Sequence, residues 1–310
     1  MFFILDGGEV GRVKHQHYVP RFYLERFADH KKQIHAFDKF TQKSFLTNIS
    51  NIGGETGFYD LPQEDLPEGV DYQVVEKMLA ALEIEFSKAT NGLLRTIDKR
   101  GVMYRNTKKD LSPFLAIQFM RTKQFREDIG LLSTKISETF SHFGITAGEF
   151  ADAPMSVYHM LFAFSSERIA QMSSVLRQHI WLVGRNETVQ PLFTSDNPFI
   201  RSEHVKNPLI SNYGIGSPGI EIALPLSPKY VLILCERVIH KNREDDDLKV
   251  IPLSDDNVLH YNALQVEQSF RQVYSSNDQF ELVKDMCRVN PDLRIPNGGA
   301  DKRIQVHYGE

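Results

Sequence analysis

The spacing of apolar residues changes once, near the middle of this chain, and that change limits the fold more than any single motif. Over residues 71–179 apolar residues recur at helical spacing, and over 180–236 they come in short blocks of strand length. Val75, Met78, Leu79, Leu82, Phe86, Leu93 and Ile97 form one helical stripe that stops at Gly101. A longer helix is expected from about Lys109 to about Phe143, and a third over residues 156–179. Strands are expected at 180–183, 192–194, 220–226 and 230–235. Earlier, residues 33–37 alternate as a strand does, and Phe45 and Phe58-Tyr59 mark further short strands. Ser254, followed by Asp255, Asp256 and Asn257, caps a helix expected to reach about Ser275. Because the periods fall in blocks and do not alternate, the expected class is α+β, with long helices packed on a mainly antiparallel sheet. The expected domain covers 14–276, with its helical part at about 71–179 and its sheet part at about 180–253. Residues 1–13 and 277–310 are read as extensions, the second with a short helix after Asn277, 61–69 as an exposed linker and 207–219 as a loop.

With 310 residues, 41% apolar and 25% charged, the chain has the make-up of a globular protein. A formal net charge of −4 argues against a protein that grips nucleic-acid backbone through a general basic excess. The start lacks the regions of a signal peptide and no run is long enough to span a membrane. Cys235 and Cys287 show no CxxC spacing, so two free thiols are expected, in a soluble cytoplasmic protein.

The densest polar segment is His15-Gln16-His17-Tyr18-Val19-Pro20-Arg21-Phe22-Tyr23-Leu24-Glu25-Arg26-Phe27. Proline suits the first helical position, so the cluster lies where an extended approach enters a helix. In that approach His15 and His17 point to one side. Tyr23, Leu24 and Phe27 share a helical face that would dock on a core. Two imidazoles on one face can also hold a divalent metal, which is the cofactor expectation.

Two helices carry polar groups on apolar faces. Arg121 and Gln118 fall in the stripe of Phe114, Phe125, Ile129, Leu132, Ile136 and Phe143; Asn262 lies between Val258, Val266 and Val273. A guanidinium there costs several kcal/mol unless it is paired, so Arg121 should have an acid partner or face a cleft. One reading is a shared site, the other a buried network that fixes helix register. Thr194-Ser195-Asp196-Asn197-Pro198 stops an apolar run; it reads as an Asx-type turn, or as the place where Asp196 meets Arg121 or a histidine. Gly53-Gly54-Glu55-Thr56-Gly57 lacks the residues of a phosphate loop and reads as a strand-linking turn.

The opening HxHYVPRxYLxxF pattern is similar to that of a bacterial family catalogued as Domain of Unknown Function 4238. Residues 50–60 (SNIGGETGFYD), 114–122 (FLAIQFMRT), 192–199 (LFTSDNPF), 223–234 (ALPLSPKYVLIL) and the Asn262 helix ending in RQVYSS resemble it too, so the likeness runs from about His15 to about Ser276. The family has no established activity, and the resemblance implies no catalytic residue.

The residues themselves point to a hydrolase acting on a phosphodiester, nuclease-like, of the kind used in defence or toxicity. His17 would be acid/base, Arg121 the anion clamp, and Asp196 an orienting or metal-binding carboxylate. His15, Arg21, Gln118, Asn197 and Asn262 would bind or brace. The alternative is a non-catalytic binding or sensor module with a polar anion-binding pocket. Either way the expected partner is nucleic acid or another anionic ligand. A site should open to solvent, whereas a structural network should be sealed.

Overall fold

The computed structural model describes residues 12–66, 68–142, 154–205 and 213–296. Phe143, most of 1–13, the first part of the 207–219 loop and residues 297–310 lie outside them. The first strands are β1 (His15–His17), β2 (Gln33–Asp38), β3 (Lys43–Asn48) and β4 (Gly54–Thr56), with the single-turn helix α1 (Arg21–Leu24) after β1. Helices follow as a block: α2 (Val74–Arg100), α3 (Asn106–Met120), α4 (Lys123–His142), α5 (Met155–Ala163) and α6 (Ser166–Gln178). Next come β5 (Ile180–Asn186), β6 (Thr194–Ser195), β7 (Ile200–Glu203), β8 (Ile220–Ser227), β9 (Tyr230–Cys235) and β10 (Val250–Leu253). The chain then adds α7 (Asp255–Gln268), β11 (Gln272–Ser275) and α8 (Glu281–Val289). This is an α+β fold, as the blockwise pattern predicts.

Strands form a five-stranded sheet, β10-β5-β9-β8-β7, antiparallel except for the β10–β5 pair. Alternate residues of β5 serve opposite faces. Trp181 and Val183 pack into the large core with Leu79, Ile97, Leu115 and Leu176 of the helices, while Ile180 and Leu182 pack with Val258 and Tyr261 of α7. Helices therefore cover both faces of this sheet. A second sheet, β3-β2-β11-β6, is built from distant segments, and a two-stranded ribbon pairs β1 with β4. The expected strand at 192–194 is thus only the short β6, and it lies outside the sheet of its neighbours in sequence. Phe58 and Tyr59 lie in a turn, both buried.

Three helix expectations need correction. The long helix is two, α3 and α4, broken at Arg121-Thr122. The Arg121 carbonyl is taken by the Tyr59 hydroxyl at 2.7 Å, and the Thr122 hydroxyl accepts the Phe125 amide at 3.3 Å. The apolar spacing continues across the break and hides it. The third helix is also two, because Ser165 caps α6 by accepting the Arg168 amide. The helix after Ser254 ends at Gln268, and Val273 belongs to β11. There the buried Lys39 ammonium donates to the Val266 and Ser269 carbonyls at 2.8 Å each, placing a cation on the negative end of α7. The α2 stripe is as expected: Val75, Leu79, Phe86, Leu93 and Ile97 are buried, and Gly101 ends the helix at φ +67°. Both cysteines are free and buried. Among the described residues no helix is long and apolar enough to cross a membrane.

Candidate functional site

Pairing places Gly54 opposite His17 and Thr56 opposite His15, so both imidazoles lie on one side of the β1–β4 ribbon. Their rings meet edge-on with centroids 4.8 Å apart. A Cβ on Gly54 would come within 2.6 Å of the Gln16 carbonyl oxygen and 2.9 Å of His15 Nε2, so only glycine lets the ribbon close under that ring. Gln16, on the opposite side, is buried and bonded to Asp60 and to the Tyr59 amide.

Arg121 is 2% exposed, and its Nη2 donates to the His17 carbonyl at 2.6 Å and to Glu83 Oε1 at 2.8 Å. The acid that its position requires is Glu83 of α2, not Asp196. Burial opposes the guanidinium charge, but Glu83 and Tyr59 hold its pKa above the ordinary arginine value. Gln118 reaches the Tyr18 carbonyl at 3.3 Å. His17, Arg121 and Gln118 therefore meet at one corner. Three of their polar atoms and one of a neighbour's, namely His17 Nε2, Arg121 Nε, Gln118 Oε1 and His15 Nε2, are buried without a hydrogen-bond partner among the described residues. Buried polar atoms are rarely left so.

Burial, helped by the charges of His15, Arg21 and Arg121, pushes the His17 imidazole down to about 4 against the pull of the Ile49 backbone. Glu76 is pushed the other way, up to about 7, by burial and by Glu83 and Asp60, against Arg121 and Arg21. Glu76 and Glu83 lie seven residues apart on α2, which puts them on one side of the helix. Sequence reading missed both. The available signal was that pair of carboxylates at two-turn spacing along the edge of the α2 stripe. Arg21 is exposed and acts on both His17 and Glu76 through its charge.

Asp196 stands in a second group. Its carboxylate accepts the backbone N–H groups of Phe270, Arg271 and Gln272 at 2.8, 2.8 and 2.7 Å. Burial raises its pKa to about 6 against the pull of those amides. Asn197 donates from its side chain to the Gln268 carbonyl at 2.8 Å. Asn262 accepts the Phe193 amide at 2.7 Å and donates to the Pro191 carbonyl at 2.9 Å, so it braces the approach to Asp196. Gln265 and Gln268 extend that ladder to Ser195, Pro198 and Arg201. Asp196 lies at the wall of a cleft of about 530 Å³ shared with Tyr18, Gly53, Gly54, Glu55, Lys123 and Arg271. Among the described residues no three histidine, cysteine or carboxylate side chains are placed to hold a metal ion.

A family model for proteins of unknown function, DUF4238, matches residues 15–279. The chain belongs to the DUF4238 family. No curated protein and no solved structure matches it. In this DUF4238 chain five of the six resembling segments meet at the Tyr18 cleft and the histidine corner beside it. The opening supplies Tyr18 itself, 50–60 the Gly53-Gly54-Glu55 wall, 114–122 the Gln118 and Arg121 contacts, 192–199 Asp196, and RQVYSS Arg271 and Gln272.

Proposed function

We propose that this protein is a hydrolase of phosphodiester bonds, with His17 as general base and Glu76 as general acid. The observation that carries the reading is the set of unpartnered polar atoms on His15, His17, Gln118 and Arg121, because they belong to a corner whose His15 and His17 side chains are partly exposed, as Glu76 is, and whose Arg21 is open to solvent. Two groups that share the charges of Arg21 and Arg121 and have pKa values pushed in opposite directions form the pattern expected of an acid–base pair. At neutral pH the His17 imidazole is unprotonated and can take a proton from an attacking water. Glu76, near 7, retains a proton to give. In the proposed step the water oxygen bonds to phosphorus and its proton passes to His17. The ester P–O bond breaks, and the departing oxygen takes the proton of Glu76. Arg121 Nε and Arg21 supply positive charge to the phosphoryl oxygens. Asp196 is assigned no proton here; it orients residues 270–272 at the adjoining cleft.

The test is turnover of bis(4-nitrophenyl) phosphate and of labelled single- and double-stranded DNA and RNA, with and without divalent ions. His17→Asn and Glu76→Gln should each lower the rate about 10²–10⁴-fold while the melting temperature shows a folded protein. No turnover by the wild type, or equal rates in His17→Asn, would overturn the assignment. Tight oligonucleotide binding without turnover would favour the binding-module alternative instead.

A further inference from the structure

The cleft beside Asp196 has a charge balance unlike that of the histidine corner. Its lining includes three carboxylates, Glu55, Glu127 and Asp196, and two cations, Lys123 and Arg271. Both cations are already engaged. The Lys123 ammonium is paired with Glu55 and sits 4.9 Å from the centre of the Phe270 ring. The Arg271 guanidinium holds Asp38 through two hydrogen bonds, at 2.6 and 2.8 Å, and lies 5.4 Å from the centre of the Phe40 ring. Thus the cleft contains two instances of one arrangement, a cation over an aromatic face with a carboxylate at its side. Such contacts are favourable because the ring face is electronegative.

Acceptors remain after these pairs are counted. Glu127 forms no ion pair among the described residues. A second and independent feature is Tyr18. It is 94% buried by its 6% exposure, it lines the cleft, and its hydroxyl has no hydrogen-bond partner among the described residues. Its electrostatic neighbours include Asp196 and Glu55. A phosphate or carboxylate entering here would meet the unpaired Glu127 carboxylate and the unpartnered Tyr18 hydroxyl, while Asp196 is already held by the 270–272 amides and Glu55 by Lys123. A group rich in N–H donors and bearing positive charge would satisfy them.

We propose that this cleft binds an organic cation, an alkylammonium or guanidinium group, against the Tyr18 hydroxyl and the Glu127 carboxylate. The site adjoins the acid–base corner at Gly54 but uses none of its acid–base side chains, so it needs no turnover to be detected. A volume of about 530 Å³ accommodates a chain of several methylenes behind the charged group.

Calorimetric titration of the full chain at low salt with agmatine and spermidine tests it, with uncharged 1,4-butanediol, inorganic phosphate and Mg²⁺ as separate probes. Saturable binding of an organic cation is expected, weakened about tenfold or more by Glu127→Gln and by Tyr18→Phe, and weakened again by added salt. Glu127 is partly exposed, so its variant keeps the fold even if Tyr18→Phe does not. The proposal falls if agmatine and spermidine give no heat up to about 10 mM. It also falls if phosphate or Mg²⁺ binds more tightly than they do, or if Glu127→Gln binds them as the wild type does. Loss of hydrolysis in the previous experiment would leave these outcomes untouched.

Discussion

His17 and Glu76 both feel the charges of Arg21 and Arg121 but couple to stability with opposite signs. The folded imidazole titrates near 4 and the unfolded one near 6.5, so between these values the unfolded chain binds more protons. Acidification through that window therefore lowers stability. Glu76 is the reverse: its folded value near 7 exceeds the ordinary 4.5, so its contribution is complete below 4.5 and is lost as pH rises through 7. In the overlap the two slopes oppose one another. Wild-type stability should accordingly change little from these groups between about pH 5 and 6.5. His17→Asn removes one slope, so that variant should gain stability on going from pH 7.5 to 5. Glu76→Gln removes the other and should lose it. Partial exposure limits each change to about 1–3 kcal/mol. Denaturant titrations of the three proteins at both pH values decide the matter; parallel pH profiles in all three would refute the shifts. The need for an acid near Arg121 was readable from a charge on an apolar face. Its identity was not, because Glu83 lies on another helix and only packing brings it there.

At the scale of elements, α7 is a structural ruler. Asn262, Gln265 and Gln268 recur every three residues and satisfy backbone groups of the segment that runs from Pro191 to Arg201. That segment has almost no sheet of its own, since β6 is only Thr194–Ser195. Its buried amides and carbonyls therefore depend on the helix side chains. Asn262→Leu keeps the volume but strands the Phe193 amide and the Pro191 carbonyl. It should cost about 2–4 kcal/mol, taking one to two for each orphaned group, and a shift below 0.5 kcal/mol in chemical denaturation would show the ladder to be dispensable. The polar residue on an apolar face was legible at Asn262, as were the α2 stripe and its Gly101 stop. The helix ends at Arg121 and Gln268 were not. Each is set by a side chain from afar, Tyr59 in one case and Lys39 in the other, while the local apolar spacing runs on.

For the whole molecule, the blockwise change of period was enough to foresee helices packed on a mainly antiparallel sheet. The second sheet could not be foreseen, because β2 and β11 pair across more than half the chain and neither carries a turn signal for the other. That sheet also changes the meaning of the region after Ser276, read from sequence as an extension. Phe280 is completely buried, with ring centroids 5.7 Å from Phe37 and 5.8 Å from Phe193. Val283 and Cys287 of α8 join Val266 and Val273 in the same cluster. One wall of the sheet carrying Asp196 is thus supplied by residues beyond 276. Phe280→Ala should cost about 3–5 kcal/mol, the range for truncating a fully buried phenylalanine. A chain ended after residue 276 loses that ring and all of α8, exposing Phe37 and Phe193 to water, and should be insoluble or melt well below the full chain. A chain ended after residue 296 keeps the cluster and should fold. Equal melting temperatures for the two truncations would show that α8 merely rests on a core complete without it.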